Sequence, residues 1–288
     1  MLSGLDFPCT SSSGTCNSYF ARLETAPRRV SGYRAMRYTV GMLIVANWKA
    51  YVEELSRAKD LFALAKRLAT KYKIDIVLAP PAPFLGLLAS GNRSNVAFAA
   101  QDLSLTTGGA ETGESTARAF SAAGATYAIV GHSERRAKGE TNEMVAEKLA
   151  HALAQGLEPI LCVGERERDS DGRYLSFVRE ELSAAFEPLS PKDRAKVTIA
   201  YEPVWAIGKT AAFAITATEL GEMVLYIRKV LAELLPGKSS AKARILYGGS
   251  VEPENARDLA AASAVDGMLI GHASVHPALI TAILKELS

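Results

Sequence analysis

The sequence predicts an α/β protein of the (βα)8-barrel class, and three observations carry that expectation. Short apolar runs alternate eight times with segments of helical periodicity between residues 42 and 288. The runs are apolar throughout instead of alternating with polar residues, as parallel strands covered on both faces require. Each strand–helix unit takes roughly 25–30 residues, and the whole span is close to the usual size of such a barrel. An open, doubly wound sheet is the alternative, but no Gly-x-Gly-x-x-Gly follows the first run.

The first run is 42–46, and Leu55, Ala58, Leu61, Phe62, Ala65, Leu68 and Ala69 then share one helix face. Run 74–79 is stopped by Pro80-Pro81, with a short helix through 85–88. Run 96–100 leads into a Gly-rich loop and a helix over 116–123. The fourth run, 127–130, precedes a long helix near 143–155, and the fifth, 159–163, precedes one around 174–186. The sixth, 197–200, is followed at a distance by Thr216-Ala217-Thr218-Glu219, a capping box opening a helix to about residue 235. Runs 243–246 and 268–270 complete the set, with helices near 255–262 and 277–287.

Residues 1–41 read differently. They are rich in Ser, Thr, Gly and Arg and carry five Arg against Asp6 and Glu24, whereas the remainder has 28 basic and 29 acidic side chains. The overall +2 therefore belongs to the extension, and the near-neutral body gives no support for nucleic-acid or membrane-surface binding through bulk charge. A transit-like peptide, a disordered tail and translation from an upstream start all fit this stretch, which is expected to be dispensable. Residues 42–288 are expected to form one catalytic domain. Cys162 is the single cysteine of the body, so no disulfide framework is indicated, and a reducing, cytoplasmic compartment fits best.

In a parallel barrel, chemistry collects just beyond the strand ends. The sixth run ends at Glu202-Pro203: proline cannot extend the ladder, so a carboxylate sits at the strand tip, ahead of Trp205 and Gly208. A general base under a lid and a surface Glu beside a structural Trp are both compatible with this stretch alone. Asn47-Trp48-Lys49 follows the first run and Gly131-His132-Ser133-Glu134-Arg135-Arg136 the fourth. Tyr247-Gly248-Gly249-Ser250-Val251 and Gly271-His272-Ala273-Ser274 follow the last two, where glycines let backbone N–H groups approach an anion.

Asn47 to Lys49, Gly131 to Arg136, Tyr201 to Gly208 and Tyr247 to Val251 resemble the signatures of the triosephosphate isomerase family, in its order and over residues 42–288. The resemblance implies a TIM barrel that interconverts dihydroxyacetone phosphate and D-glyceraldehyde 3-phosphate, a step of glycolysis and gluconeogenesis. It implies Glu202 as the base, His132 as a neutral electrophile and Lys49 as charge stabiliser. It further implies that Asn47 helps to orient Lys49 and the substrate, that Asn47 and Lys49 bind the substrate, and that the backbone around Gly208, Ser250, Gly271 and His272 holds phosphate. No metal or organic cofactor is implied. The stretch Gly109 to Glu114 resembles the family's dimer loop, implying a homodimer in which Thr112 nears the partner's site and Glu114 pairs with Arg135.

Cys162 is expected to be a packed thiol, Glu165 a supporting carboxylate, and His151 and His276 bystanders. Three departures from the family stand out. Gly208 is followed at once by Lys209-Thr210-Ala211, with extra apolar residues 212–215 before the Thr216 cap. His272 replaces a glycine. Asp102 follows Gln101 where Asn is usual, which bears on the dimer contact beneath Lys49. An inactive scaffold would need none of Lys49, His132 and Glu202 together. A different sugar-phosphate barrel enzyme would call for a metal cluster or a Schiff-base lysine, for which the sequence offers no candidate.

Overall fold

A computed structural model describes residues 41–208, 214–235 and 237–288. Eight parallel strands close a barrel in sequence order: β1 (Leu43–Asn47), β2 (Asp75–Ala79), β3 (Ala97–Ala100), β4 (Tyr127–Val130), β5 (Glu158–Val163), β6 (Thr198–Tyr201), β7 (Ile245–Tyr247) and β8 (Gly267–Ile270). The seam closes where Leu43 of β1 pairs with Gly267 of β8. The covering helices are α1 (Leu55–Tyr72), α2 (Ala82–Ala89), α3 (Ala117–Ala122), the single turn α4 (Ser133–Arg136), α5 (Asn142–Ala154), α6 (Arg173–Phe186), α7 (Pro191–Arg194), α8 (Ala217–Leu234), α9 (Ala256–Ser263) and α10 (Pro277–Glu286). The expected (βα)8 architecture is present. The short α4 and α7 are additions that the apolar pattern does not announce.

The apolar runs exist because each strand is buried on both sides. Leu43, Val45, Val77, Ile129, Ile160, Cys162, Ala200, Leu246 and Leu269 fill the barrel interior. Their immediate neighbours Ile44, Ala46, Leu78, Val130, Leu161, Ile199, Ile245 and Ile270 pack outward under the helices. This two-residue alternation also aims the site, since successive side chains point to opposite faces of a strand. Asn47 continues the inward row of Leu43 and Val45; Glu202 continues that of Ala200, Gly248 that of Leu246, and Gly271 that of Leu269. Polar and small residues thus appear at the barrel mouth where the inward row leaves the apolar core.

Helix starts follow local chemistry. The Thr116 side chain accepts the Ala119 N–H at 3.1 Å to open α3. The expected capping box opens α8: Thr216 accepts the Glu219 N–H at 3.2 Å, and Glu219 accepts the Thr216 N–H at 2.8 Å. The expected rearrangement of the second half of the lid falls on residues 209–213, outside the described residues, as does the extension through residue 40. Among the described residues no helix is long and apolar enough to cross a membrane.

Candidate active site

Three strand ends bring Lys49, His132 and Glu202 together at one mouth of the barrel. Glu202 is 2% exposed. Its Oε2 accepts the backbone N–H of Ser133 at 3.0 Å. Its Oε1 comes within 3.3 Å of His132 Nε2, yet makes no hydrogen bond. A carboxylate so placed is within reach of a proton on a molecule bound at the barrel mouth. The carboxylate is packed tightly enough that a Cβ on Gly248 would lie 2.8 Å from Glu202 Cγ.

The His132 tautomer follows from its partner. The Glu134 backbone N–H donates to His132 Nδ1 at 3.1 Å, and a backbone amide can only donate. Nδ1 therefore carries no hydrogen, and the neutral ring presents Nε2–H toward Glu202 and the cavity. The side chain is nearly buried, and its backbone carbonyl accepts from Arg135 and Arg136, which form the turn α4.

Lys49 sits in the left-handed region with φ +45°, an unusual conformation for a residue with a side chain. Local bonds hold it there. Its N–H donates to Asn47 Oδ1 at 3.0 Å, and its carbonyl accepts from Gln101 Nε2 at 2.9 Å. Asn47 thus holds the backbone of residue 49. The ammonium reaches Glu134 Oε1 at 2.6 Å. Burial pushes the Glu134 carboxyl up, but the hydrogen bond and charge of Lys49 outweigh it and leave it below the usual range. A Cβ on Gly271 would lie 3.3 Å from Lys49 Cε, so the end of β8 passes directly beside this side chain.

The segment after Glu202 forms a 3-10 turn, Val204–Ala206. It is tied down at three points. The Val204 N–H donates to the Glu165 carbonyl at 2.9 Å, the Trp205 indole N–H to Glu165 Oε1 at 2.9 Å, and Ser250 Oγ to the Ala206 carbonyl at 3.0 Å. Trp205 is therefore a polar anchor as well as an apolar one. Glu165 is fully buried and also accepts the Tyr201 hydroxyl at 2.8 Å, which makes it the post to which the first half of the lid is moored. Gly208 closes this half at φ +71°, a conformation glycine adopts without steric cost.

Behind Glu202, a cavity of about 240 Å³ is bounded by Ser133, Cys162, Gly164 and Glu181. Gly164 lacks a side chain for a reason: a Cβ there would lie 1.9 Å from the Glu202 carbonyl oxygen. Its N–H donates to Glu181 Oε2 at 2.8 Å. Glu181 Oε1 lies 3.3 Å from Arg136 Nη1, and Arg136 Nε donates to the Gly131 carbonyl at 2.8 Å. A carboxylate on α6 thereby fixes the loops that carry Ser133 and Glu202. Burial pushes the Glu181 carboxyl up to about 7, partly opposed by Arg136 and the Gly164 N–H. A raised folded pKa means that the folded state holds this proton longer than the unfolded one. Stability from that source is present at pH 4 and is lost as pH rises toward 7. Relative to Glu181→Gln, the wild-type chain should lose on the order of 3 kcal/mol between those pH values. Urea unfolding of both proteins across that range checks this; parallel curves would refute it.

Cys162 is a fully buried thiol, pushed well above its ordinary pKa by burial and by the Glu202 carboxylate, in keeping with a packed rather than nucleophilic role. His151 lies on α5, half-buried, 3.8 Å from Glu147. Gln101 supports Lys49, donating from Nε2 to its carbonyl at 2.9 Å. Asp102 instead pairs with Arg135 Nε at 2.7 Å and with Lys148 Nζ at 2.6 Å, and Lys148 also pairs with buried Glu140. Ser133, Glu134, Glu181 and Arg136 are the contributors that motif reading passed over as individuals. Three of them lay inside the Gly131 to Arg136 signature. Glu181 carried only the weak signal of a carboxylate in the buried row of a helix.

A sequence profile of the triosephosphate isomerase family matches residues 42–287. The triosephosphate isomerase of Coprinopsis cinerea is 39% identical over 248 residues, covering 85% of this chain and 98% of the relative. That of Thermus thermophilus is 40% identical over 249 residues, with the same coverage of each. The Carboxydothermus hydrogenoformans enzyme is 38% identical over 247 residues, 84% of this chain and 97% of the relative.

Proposed function

The chain belongs to the triosephosphate isomerase family, and from that premise we propose that Glu202, His132 and Lys49 carry the interconversion of dihydroxyacetone phosphate and D-glyceraldehyde 3-phosphate. The observation that carries the assignment is the buried Glu202 carboxylate at the barrel mouth, with its Oε1 3.3 Å from His132 Nε2. Glu202 takes a proton from C1 of the ketose, leaving an enediolate, and returns it to C2, while the O1 hydroxyl hydrogen passes to O2 by way of His132 Nε2, so that C1–O1 becomes the aldehyde and C2–O2 the alcohol; the reverse reaction runs the same path backward. His132 donates from Nε2 to whichever of O1 and O2 gains negative charge. A preorganised donor in a water-poor site stabilises that charge more than water does. Lys49 adds a fixed positive charge on the same side. Backbone N–H groups around Gly208, Ser250, Gly271 and His272 receive the phosphate, a role that fits the approach of Gly271 to Lys49.

A proton carried on a carboxylate can exchange with solvent. Conversion in heavy water should place deuterium on the carbon that receives it, and residues 42–288 alone should turn over at the rate of the full chain. Interconversion with no deuterium at all would indicate a hydride shift and overturn the roles given to Glu202 and His132. A collapse of activity on truncation would show that the extension belongs to the catalytic domain.

The assembly proposed is a homodimer built through the loop around Thr112. Residues 107–115 are all exposed in the single chain, and backbone bonds such as Glu114 N–H to the Glu111 carbonyl shape the loop's own turn. Arg135, already held by Asp102, keeps a side chain 44% exposed for Glu114 of a second copy. Sedimentation at micromolar concentration should give twice the 30.7 kDa of one chain; a fully active monomer would contradict this. A cytoplasmic setting is proposed with it, supported by the buried free thiol of Cys162.

A further inference from the structure

Two histidines outside the catalytic trio meet at the rim of the barrel mouth. His272 follows β8, and His276 caps α10 at its N-terminus. Their Nε2 atoms stand 3.0 Å apart, with ring centroids 4.3 Å apart. Among the described residues, neither imidazole is paired with an acid. We propose that His272 and His276 form a bidentate site for a divalent transition ion of the Cu2+ or Ni2+ type.

Bond lengths decide the ion class. Imidazole nitrogens bind such ions at ~2.0–2.1 Å. Two nitrogens 3.0 Å apart then subtend about 95° at the ion, whereas a tetrahedral ion such as Zn2+ asks for a separation of roughly 3.3–3.4 Å. Near-right angles belong to square-planar or tetragonal coordination by N and O donors, which Cu2+ and Ni2+ favour. Affinity in the divalent series rises toward the same two ions.

The frame is already built. Arg57 ties the walls of the site, donating from Nη1 to the Tyr51 carbonyl at 3.4 Å and from Nη2 to the Val275 carbonyl at 3.3 Å. The Tyr51 ring lies edge-on to His272, with centroids 5.7 Å apart. Without an ion, one Nε2–H donates to the other Nε2. With an ion, that ring moves its hydrogen to Nδ1 and both Nε2 lone pairs face the metal, so no proton is lost. Among the described residues no cluster of three or more metal-ligating side chains occurs, so water completes the coordination. The exposed rim position of His272 admits it.

The test is calorimetric titration of untagged full-length protein with Ni2+, in a background where Cys9 and Cys16 are replaced by Ser. One ion should bind per chain. Losing one of two ligands should weaken it at least about tenfold in both His272→Ala and His276→Ala. His276→Gln should do the same while keeping a hydrogen-bonding side chain at the helix start, and His151→Ala should bind as the parent does. Zn2+ should bind more weakly than Ni2+. Absence of saturable binding in the parent, or an affinity equal to the parent's in either the His272 or the His276 variant, would overturn the site. The readout is binding alone, so its failure leaves the proposed isomerase roles untouched.

Discussion

Replacing Glu202 with Gln is expected to lower the rate of triose interconversion by ~10²–10⁴-fold, the range a positioned proton-transfer group supplies. The amide is nearly isosteric and can still accept the Ser133 N–H, which Glu202 accepts at 3.0 Å, so folding should be preserved. What disappears is the basic oxygen near His132. Steady-state assays in both directions, with circular dichroism to confirm the fold, decide the matter. Equal rates in the two proteins would end the case for Glu202.

Lys49→Met should cost nearly as much. Removal of one preorganised group facing developing charge costs roughly 10²–10³-fold, and Met keeps most of the aliphatic stem. The backbone of residue 49 is held by Asn47 and Gln101, neither of which bonds the ammonium. The left-handed turn should therefore survive, and the loss should come from charge. A kcat/KM within tenfold of wild type would show that the ammonium serves only its pair with Glu134, 2.6 Å away.

The barrel was legible because its signal is local: an apolar run tells its own story without reference to any partner. Strand starts shifted by a residue or two, as at β7, which begins at Ile245 instead of residue 243. Ladder pairing ends strands, whereas apolarity continues past them at Met42, Ile74 and Val96. The trio Lys49, His132 and Glu202 was equally readable, each lying at the end of a run. The bonds that tune them were not. The tautomer of His132 depends on the backbone N–H of Glu134, and the seat of Glu202 depends on a carboxylate from α6. The polar half of Trp205 was hidden too, since its indole N–H finds its partner in Glu165, a residue on another strand's loop. The ion pairs of Asp102 were hidden for the same reason: its partners, Arg135 and Lys148, come from later helices.

The seam between Leu43 and Gly267 has a consequence for biosynthesis. It joins the first strand to the last, the widest sequence separation of any pairing in the sheet. Contacts of that kind form late, since the intervening chain must be ordered before they can close. On the ribosome, Lys49 emerges first and waits exposed while seven further strands are made. Its neighbour Gly271 leaves the exit tunnel only with the final segment of the chain. A nascent chain that stalls before β8 thus carries Lys49, His132 and Glu202 and still has no closed barrel mouth to place them in.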